Sequence, residues 1–188
     1  MAISNIPFGD YKPFDPRFKA WKFVIHDYFF AKALDKVRPG GLLLFITSKG
    51  TLDKLDGALR EYVSHQADLI GAIRLPNDAF KKNAHTEVTT DILILRKRLL
   101  GERPQSPSWK VVVEMTNSVG ETIPVNEYYA AHPEMMLGEM RLEGRMYQRN
   151  EPTLVADGRE LTESLPQAIA LLPANVFQPV ETRLRAPL

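Results

Sequence analysis

The sequence predicts an α/β fold built on a parallel sheet and followed by a mixed α+β extension. Apolar runs at 42–47 and 67–74 alternate with segments of helical periodicity, which is typical of βαβ units. A further apolar run at 89–97 completes the sheet. After residue 100 the chain carries scattered Pro, Gly and charge, so we expect residues 1–100 to form the α/β unit and residues 101–188 the extension.

Each element of the first unit follows from a local pattern. Residues 2–4 have the character of the end of a strand. Apolar residues recur at three- and four-residue steps through 20–37, which predicts a helix that ends at Arg38-Pro39-Gly40-Gly41. A second helix is expected over 53–65. Its inward-facing residues are expected to be Leu55, Leu59, Tyr62 and Val63.

The last two strands of the first unit are joined by a polar segment, 77–88, that has no helical pattern. We therefore expect 67–74 and 89–97 to form an antiparallel pair at the edge of the sheet. Elements of the extension are expected at 109–115 (strand), 126–131 (helix) and 160–172 (helix).

The overall composition excludes several classes of protein. The chain has 188 residues, a net charge of +1 and no cysteine, so no strong overall field attracts nucleic acid and no disulfide can form. The longest apolar run, 42–46, is too short to cross a bilayer, and no signal peptide is visible. The four histidines lack the spacing of metal ligands. We expect a cytoplasmic protein without a metal or a membrane contact.

The segment Asn5-Ile6-Pro7-Phe8 carries the most specific chemistry. Asn5 offers a side-chain oxygen and Ile6 a backbone carbonyl, while Pro7 stiffens the turn and Phe8 presents a flat ring. Two acceptors beside a ring suit an exocyclic amino group on a flat heterocycle. The alternative is a simple β-turn with a buried Phe8.

This segment resembles the Asp/Asn/Ser-Pro-Pro-Tyr/Phe/Trp motif of amino-group methyltransferases. Ile replaces the first Pro, but the backbone carbonyl used at that position is retained. The stretches that follow are similar to the later half of N6-adenine DNA methyltransferase domains, in particular those of very large phage and plasmid proteins that also contain a superfamily II helicase. The similar stretches are GGLLLFITSKGTLDK, ADLIGAIRLPNDAF, TEVTTDILILRKR and VNEYYAAHPEMMLGEM.

The resemblance implies a partial Rossmann-like methyltransferase fold. In it, Asn5 and Ile6 would accept hydrogen bonds from the adenine amine, and Phe8 would stack on a base flipped from double-stranded DNA. The cofactor would be S-adenosylmethionine. None of the eleven glycines forms a Gly-x-Gly turn. We therefore expect the cofactor half upstream of Met1, and an isolated chain that is inactive.

Three partners follow from this interpretation. They are DNA with a flipped adenine, a helicase domain in the same polypeptide, and a second copy of the chain paired through an exposed sheet edge.

Lys49 follows the central strand and is a candidate contact to a DNA phosphate. The alternative is an ordinary strand-to-helix loop in which Thr51 caps the helix. The basic run 96–98 is expected to mark a strand end at the surface.

The polar segment between the last two strands would line the target-base pocket in related enzymes, with Arg74 close to its start. Phe80 and Thr86 are candidates for the pocket wall, and Lys81 and Lys82 for phosphate contacts. The alternative is a solvated basic loop.

Two other functions remain open from the sequence. The same half-fold can be a non-catalytic module that binds DNA or a partner chain. The motif can also serve an RNA or protein amino-methyltransferase, because it recognises an amine rather than a polymer.

Overall fold

The computed structural model describes residues 1–81, 87–144 and 150–177. A four-stranded sheet forms the centre of the first unit. Its strands are β1 (Ala2–Asn5), β2 (Leu42–Ser48), β3 (Ala67–Leu75) and β4 (Thr90–Lys97).

The strands lie in the order β1-β2-β4-β3. β1 runs parallel to β2, whereas β4 runs antiparallel to both β2 and β3. The antiparallel pairing of the last two strands is therefore confirmed, and the α/β prediction with it. The sequence did not predict that β4 inserts beside β2. As a consequence β1, β2 and β3 all end at one side of the sheet, which we call the carboxyl edge.

Helices α1 (Ile25–Lys36), α2 (Gly50–Asp53) and α3 (Ala58–Ser64) belong to the first unit. α1 begins later than predicted, because a short 3-10 helix at Pro16–Phe18 and a turn precede it. Lys97 donates from its Nζ to the carbonyls of Leu34 and Val37, at 2.5 and 2.9 Å, and so satisfies the end of α1.

The prediction of a single helix over 53–65 is wrong, because the helical structure is interrupted at Lys54–Gly57. The buried guanidinium of Arg60 fixes the break: it donates to the carbonyls of Lys54 (2.8 Å) and Thr51 (3.3 Å). Leu55, expected to face inward, lies in this break and is exposed.

Besides a short 3-10 helix at Pro133–Met135, the described part of the extension contains two hairpins and two α-helices. They are β5 (Val112–Thr116), β6 (Thr122–Asn126), α4 (Glu127–Ala131), β7 (Glu139–Gly144), β8 (Glu151–Val155) and α5 (Leu161–Ala170). The predicted strand and both predicted helices are present at β5, α4 and α5. Three strands, β6 to β8, were not predicted.

The extension packs directly on the sheet. Buried residues from both parts, such as Leu43 and Tyr129, belong to one hydrophobic core. The Asn126 side chain donates to the carbonyls of Leu52 and Trp109, at 3.0 and 2.9 Å. The division of the chain at residue 100 stays a prediction.

Three arginines of β3 and the end of β4 are buried or half-buried, contrary to expectation. Arg74 is fully enclosed, and the run 96–98 is not an exposed strand end: Arg96 and Arg98 both bond to the buried carboxylate of Asp68. Each cation has an acidic partner distant in sequence, which is the condition for burying a charge. Within the described ranges, no helix is long and apolar enough to cross a membrane.

Candidate functional site

The Asn5–Phe8 segment leaves the sheet at the carboxyl end of β1. Asn5 is the last residue of the strand and lies opposite Ile46. One further rung follows, in which the Ile6 N–H donates to the Ile46 carbonyl at 3.1 Å. The Ile6 side chain is almost completely buried in the core. The chain is therefore anchored at Ile6 and turns away from the sheet there.

The two oxygen acceptors of the segment differ in exposure, because Asn5 is exposed and Ile6 is only 2% exposed. The Asn5 side chain is exposed, and among the described residues no group donates to it or to the Ile6 carbonyl. Ser4 Oγ donates only to the backbone carbonyl of Asn5, at 3.2 Å. The pair of acceptors predicted for an amino group is thus present and unoccupied by protein donors.

Phe8 is not a core residue. Its side chain is 37% exposed, which contradicts the alternative of a turn with a buried ring. A ring with one open face can stack on a planar ligand.

The start of α1 lies against the chain that follows the motif. The Ile25 N–H donates to the Tyr11 carbonyl at 2.9 Å and holds the chain after the motif against the start of the helix. Asp27 is buried there, with the His26 Nε2 atom 3.5 Å from its Oδ1 and Lys54 ion-paired to its Oδ2. Burial lowers the pKa of His26, and Asp27 opposes this only in part, so the imidazole is neutral at pH 7.

A cleft of about 850 Å³ opens at the carboxyl edge, and none of residues 5–8 is among the residues that line it. One side of the cleft is formed by the end of β2 and the residues just before β4, and the opposite side is formed by the β7–β8 hairpin. The lining includes Ser48, Lys49, Gly50, Lys54, Asn77, Thr89, Glu143 and Thr153. Open α/β sheets bind ligands at this edge.

Lys49 lies on the cleft wall and is half-buried. It occupies the N-cap position of α2 itself, and its N–H donates to the Thr89 carbonyl at 3.1 Å. Thr51 does not cap the helix, because it is buried and its hydroxyl bonds to that of Thr47 at 2.7 Å. A phosphate contact by Lys49 stays a prediction.

The loop residues predicted to form the target pocket are only partly described. Phe80 packs against the hydrophobic core and is not among the residues lining the cleft. Lys81 forms an exposed ion pair with Glu87 at 2.5 Å, which raises the pKa of Lys81. Lys82 and Thr86 lie outside the described residues, and their predicted roles stay predictions.

Sequence reasoning missed much of the cleft. Its outer wall uses residues of β7 and β8, such as Glu143 and Thr153, and those strands were not predicted. Asp53 and Lys54 could have been found, because they follow Lys49 closely after a predicted strand. In the described part of the chain no cluster of His, Asp or Glu is suited to hold a metal.

Comparisons with known proteins give limited matches. No family model matches the chain. A segment of 100 residues is 30% identical to "Defense against restriction protein B" of Escherichia phage P1, and it covers 51% of this chain but 4% of that protein. The chain therefore spans only a small part of a very long relative.

One solved structure is similar in part. It is a Listeria monocytogenes protein assigned as a class I S-adenosylmethionine-dependent methyltransferase, 25% identical, with a TM-score of 0.42 over 56% of this chain and 33% of that one.

Proposed function

We propose that this chain is the target-recognising half of an S-adenosylmethionine-dependent DNA methyltransferase that acts on adenine N6. The observation that supports this most is the geometry of the motif: two unoccupied acceptors and a half-open ring at the carboxyl edge, all anchored by the buried Ile6. Asn5 and Phe8 thus have the exposure that this chemistry requires.

The acceptors suit an aromatic amine. An adenine amino group has two N–H donors, and Asn5 Oδ1 and the Ile6 carbonyl can each receive one. Both hydrogen bonds draw the amine away from conjugation with the ring and favour its nucleophilic lone pair. Phe8 would fix the plane of the flipped base by stacking. The residues of this chain thus bind and orient the amine, and no protein nucleophile is needed.

The chain does not fit the cofactor. S-adenosylmethionine would supply the methyl group, but a glycine turn that lets backbone approach such a ligand is missing, since the sequence contains no Gly-x-Gly. The carboxyl end of β1 carries the target motif instead. We therefore assign cofactor binding to residues outside this chain and expect the isolated chain to be inactive.

DNA is favoured over RNA and protein as the polymer. The phage P1 relative is named for defence against restriction, and restriction acts on DNA. That relative is also very long, which agrees with a methyltransferase unit inside a larger polypeptide, where a helicase domain is a further proposed partner.

The test is methyl transfer by the full-length protein to DNA, RNA and protein substrates. Asn5→Ala removes one acceptor, and we expect activity on DNA to fall about 10²-fold or more. Asn5→Ser and Phe8→Tyr keep an acceptor and a ring, so both should retain most of the activity. Phe8→Ala should lower it by about 5- to 100-fold through lost stacking.

Leu100→Ala is the matched control, because Leu100 is fully exposed and remote from the motif in sequence. Full activity of Asn5→Ala would contradict the proposal. Transfer to RNA or protein but not DNA would assign the same site to another polymer. Calorimetric detection of micromolar S-adenosylmethionine binding by the isolated chain would contradict the assignment of the cofactor site elsewhere.

A non-catalytic module is the second candidate function, and the missing glycine turn favours it. A full-length protein that binds DNA but transfers no methyl group to any of the three substrates would support this candidate.

A further inference from the structure

The loop that follows the motif, residues 8–22, exposes several aromatic rings. We call it the aromatic loop. The exposed fractions are 37% for Phe8, 64% for Tyr11, 85% for Phe14 and 38% for Trp21. Four exposed rings within one short loop are a candidate binding surface.

The loop is held in place by other aromatic residues that face inward. Phe18 and Phe23 are buried in the core. Trp21 stacks on Phe23, with ring centroids 5.6 Å apart and planes 15° apart, and meets the edge of Tyr62 at 5.2 Å. Trp21 is anchored in this way, so it loses little conformational freedom when it binds a ligand.

The loop also carries uncompensated positive charge. Lys12, Lys19 and Lys22 are exposed, and none of them forms an ion pair with a described residue. The acids nearby are neutralised: Asp15 pairs with Lys32 at 2.7 Å, and Asp35 pairs with Arg17 at 2.5 Å. Asp10 is the one other acid in the loop.

We propose that the aromatic loop is a stacking platform for single-stranded DNA next to the target nucleotide. Exposed rings interleaved with free lysines are the combination that binds unpaired bases and their phosphates without sequence preference. The loop starts at Phe8, the residue proposed to stack on the flipped base, so a strand held there could continue onto Tyr11 and Phe14. The proposal rests on the proposed function, and it adds that the strand beside the target base is unstacked and held by this chain.

The test uses an oligonucleotide without adenine, so that it does not depend on the target site. A fluorescein-labelled oligothymidine of about twelve nucleotides falls within the site sizes of known single-strand binders. We expect the chain to bind it more tightly than the same length of duplex, and Trp21 fluorescence to be quenched. Trp109 is buried and should not respond.

Variants of the exposed rings separate this surface from the rest of the chain. Tyr11→Ala and Phe14→Ala should each weaken oligothymidine binding about 5-fold or more. Lys12→Gln should lower the slope of log affinity against log salt by about 0.7. These side chains are exposed, so unchanged melting curves should confirm that the variants fold.

Two controls make the result specific. Phe177→Ala removes another exposed ring, one that lies on Arg38 beyond the other end of α1, and should leave binding unchanged. Asn5→Ala should also leave oligothymidine binding unchanged while it lowers methyl transfer by about 10²-fold or more.

Three outcomes would overturn the platform. The first is no binding of oligothymidine, and the second is binding by the ring variants that equals binding by the wild type. The third is a Trp21 signal that responds in this chain but not in the full-length protein, because another protein segment covers the loop there. Each leaves the Asn5 assay to decide the proposed function independently.

Discussion

The two ends of the carboxyl edge differ sharply. At β1 the chain leaves the sheet with an exposed Asn5 and a Phe8 that is 37% exposed. At β3 the edge is closed: Arg74 is fully buried, bonds to both oxygens of Asp91 at 2.8 and 2.9 Å, and bonds to Asp53 at 2.6 Å. The Arg74 guanidinium also lies 4.3 Å from the Tyr129 ring centroid.

The difference separates polar groups that are paired inside the protein from polar groups that have no protein donor among the described residues. Burial alone would lower the pKa of Arg74, but the charges of Asp53 and Asp91 outweigh it and raise that pKa well above its ordinary value. The side-chain hydrogen bonds of Arg74 all go to other side chains of the protein. At β1, by contrast, Asn5 and the Ile6 carbonyl have no protein donor among the described residues.

The largest expected effect is at the closed end. Arg74→Met leaves two buried carboxylates without their cation, so we expect the free energy of unfolding to fall by about 3–5 kcal/mol, measured by urea denaturation. Arg159→Met is the control, because the Arg159–Asp157 pair is exposed and should change stability by about 0.5 kcal/mol or less. Equal effects would refute the contrast between the two ends.

A smaller effect is expected from His26, beneath the open end. Its pKa in the folded state is lowered by burial, so the unfolded state binds the extra proton. Stability contributed by neutral His26 is therefore complete above the ordinary pKa of 6.5 and is lost as the pH falls below it, by at most about 1.4 kcal/mol per pH unit.

Unfolding curves at several pH values between about 5 and 7 test this. His26→Gln should remove that part of the pH dependence. His65→Gln should not, because His65 is exposed. A wild-type curve that is flat in this interval would show that His26 titrates normally.

The smallest effect on stability is expected at β1 itself. β1 is an edge strand of the sheet, and Ile3 on it is 67% exposed. If a second copy pairs there, Ile3→Lys should shift the isolated chain to monomer in light scattering, with about 0.5 kcal/mol or less of change in unfolding. Leu55→Lys, exposed but off the sheet, should not shift it. A strictly monomeric wild-type chain would exclude this mode of pairing.

The parts that could be predicted from sequence depend on local pattern. Apolar runs gave the strands β2, β3 and β4, and the spacing of apolar residues gave α1. The exposure of Asn5 and Phe8 could be predicted because the residues of the motif are adjacent in the sequence.

The parts that could not be predicted depend on partners distant in the chain. The burial of Arg74 requires Asp53 and Asp91, and the break after α2 requires Arg60 to reach Lys110. The strands of the extension are short, and Pro124 in β6 argues against a strand there. β7 does alternate charged and apolar residues from Glu139 to Glu143, so its pattern could have been recognised.

Ile6 has a consequence for how the motif obtains its rigidity. Proline has no N–H and could not make the rung that joins Ile6 to Ile46. An enzyme with Pro-Pro at this point relies on two rings to restrain its backbone torsions. In this chain, a backbone hydrogen bond and the buried Ile6 side chain take the place of one of those rings. The direction of the Ile6 carbonyl is therefore set by the packing of the core rather than by the covalent geometry of the turn.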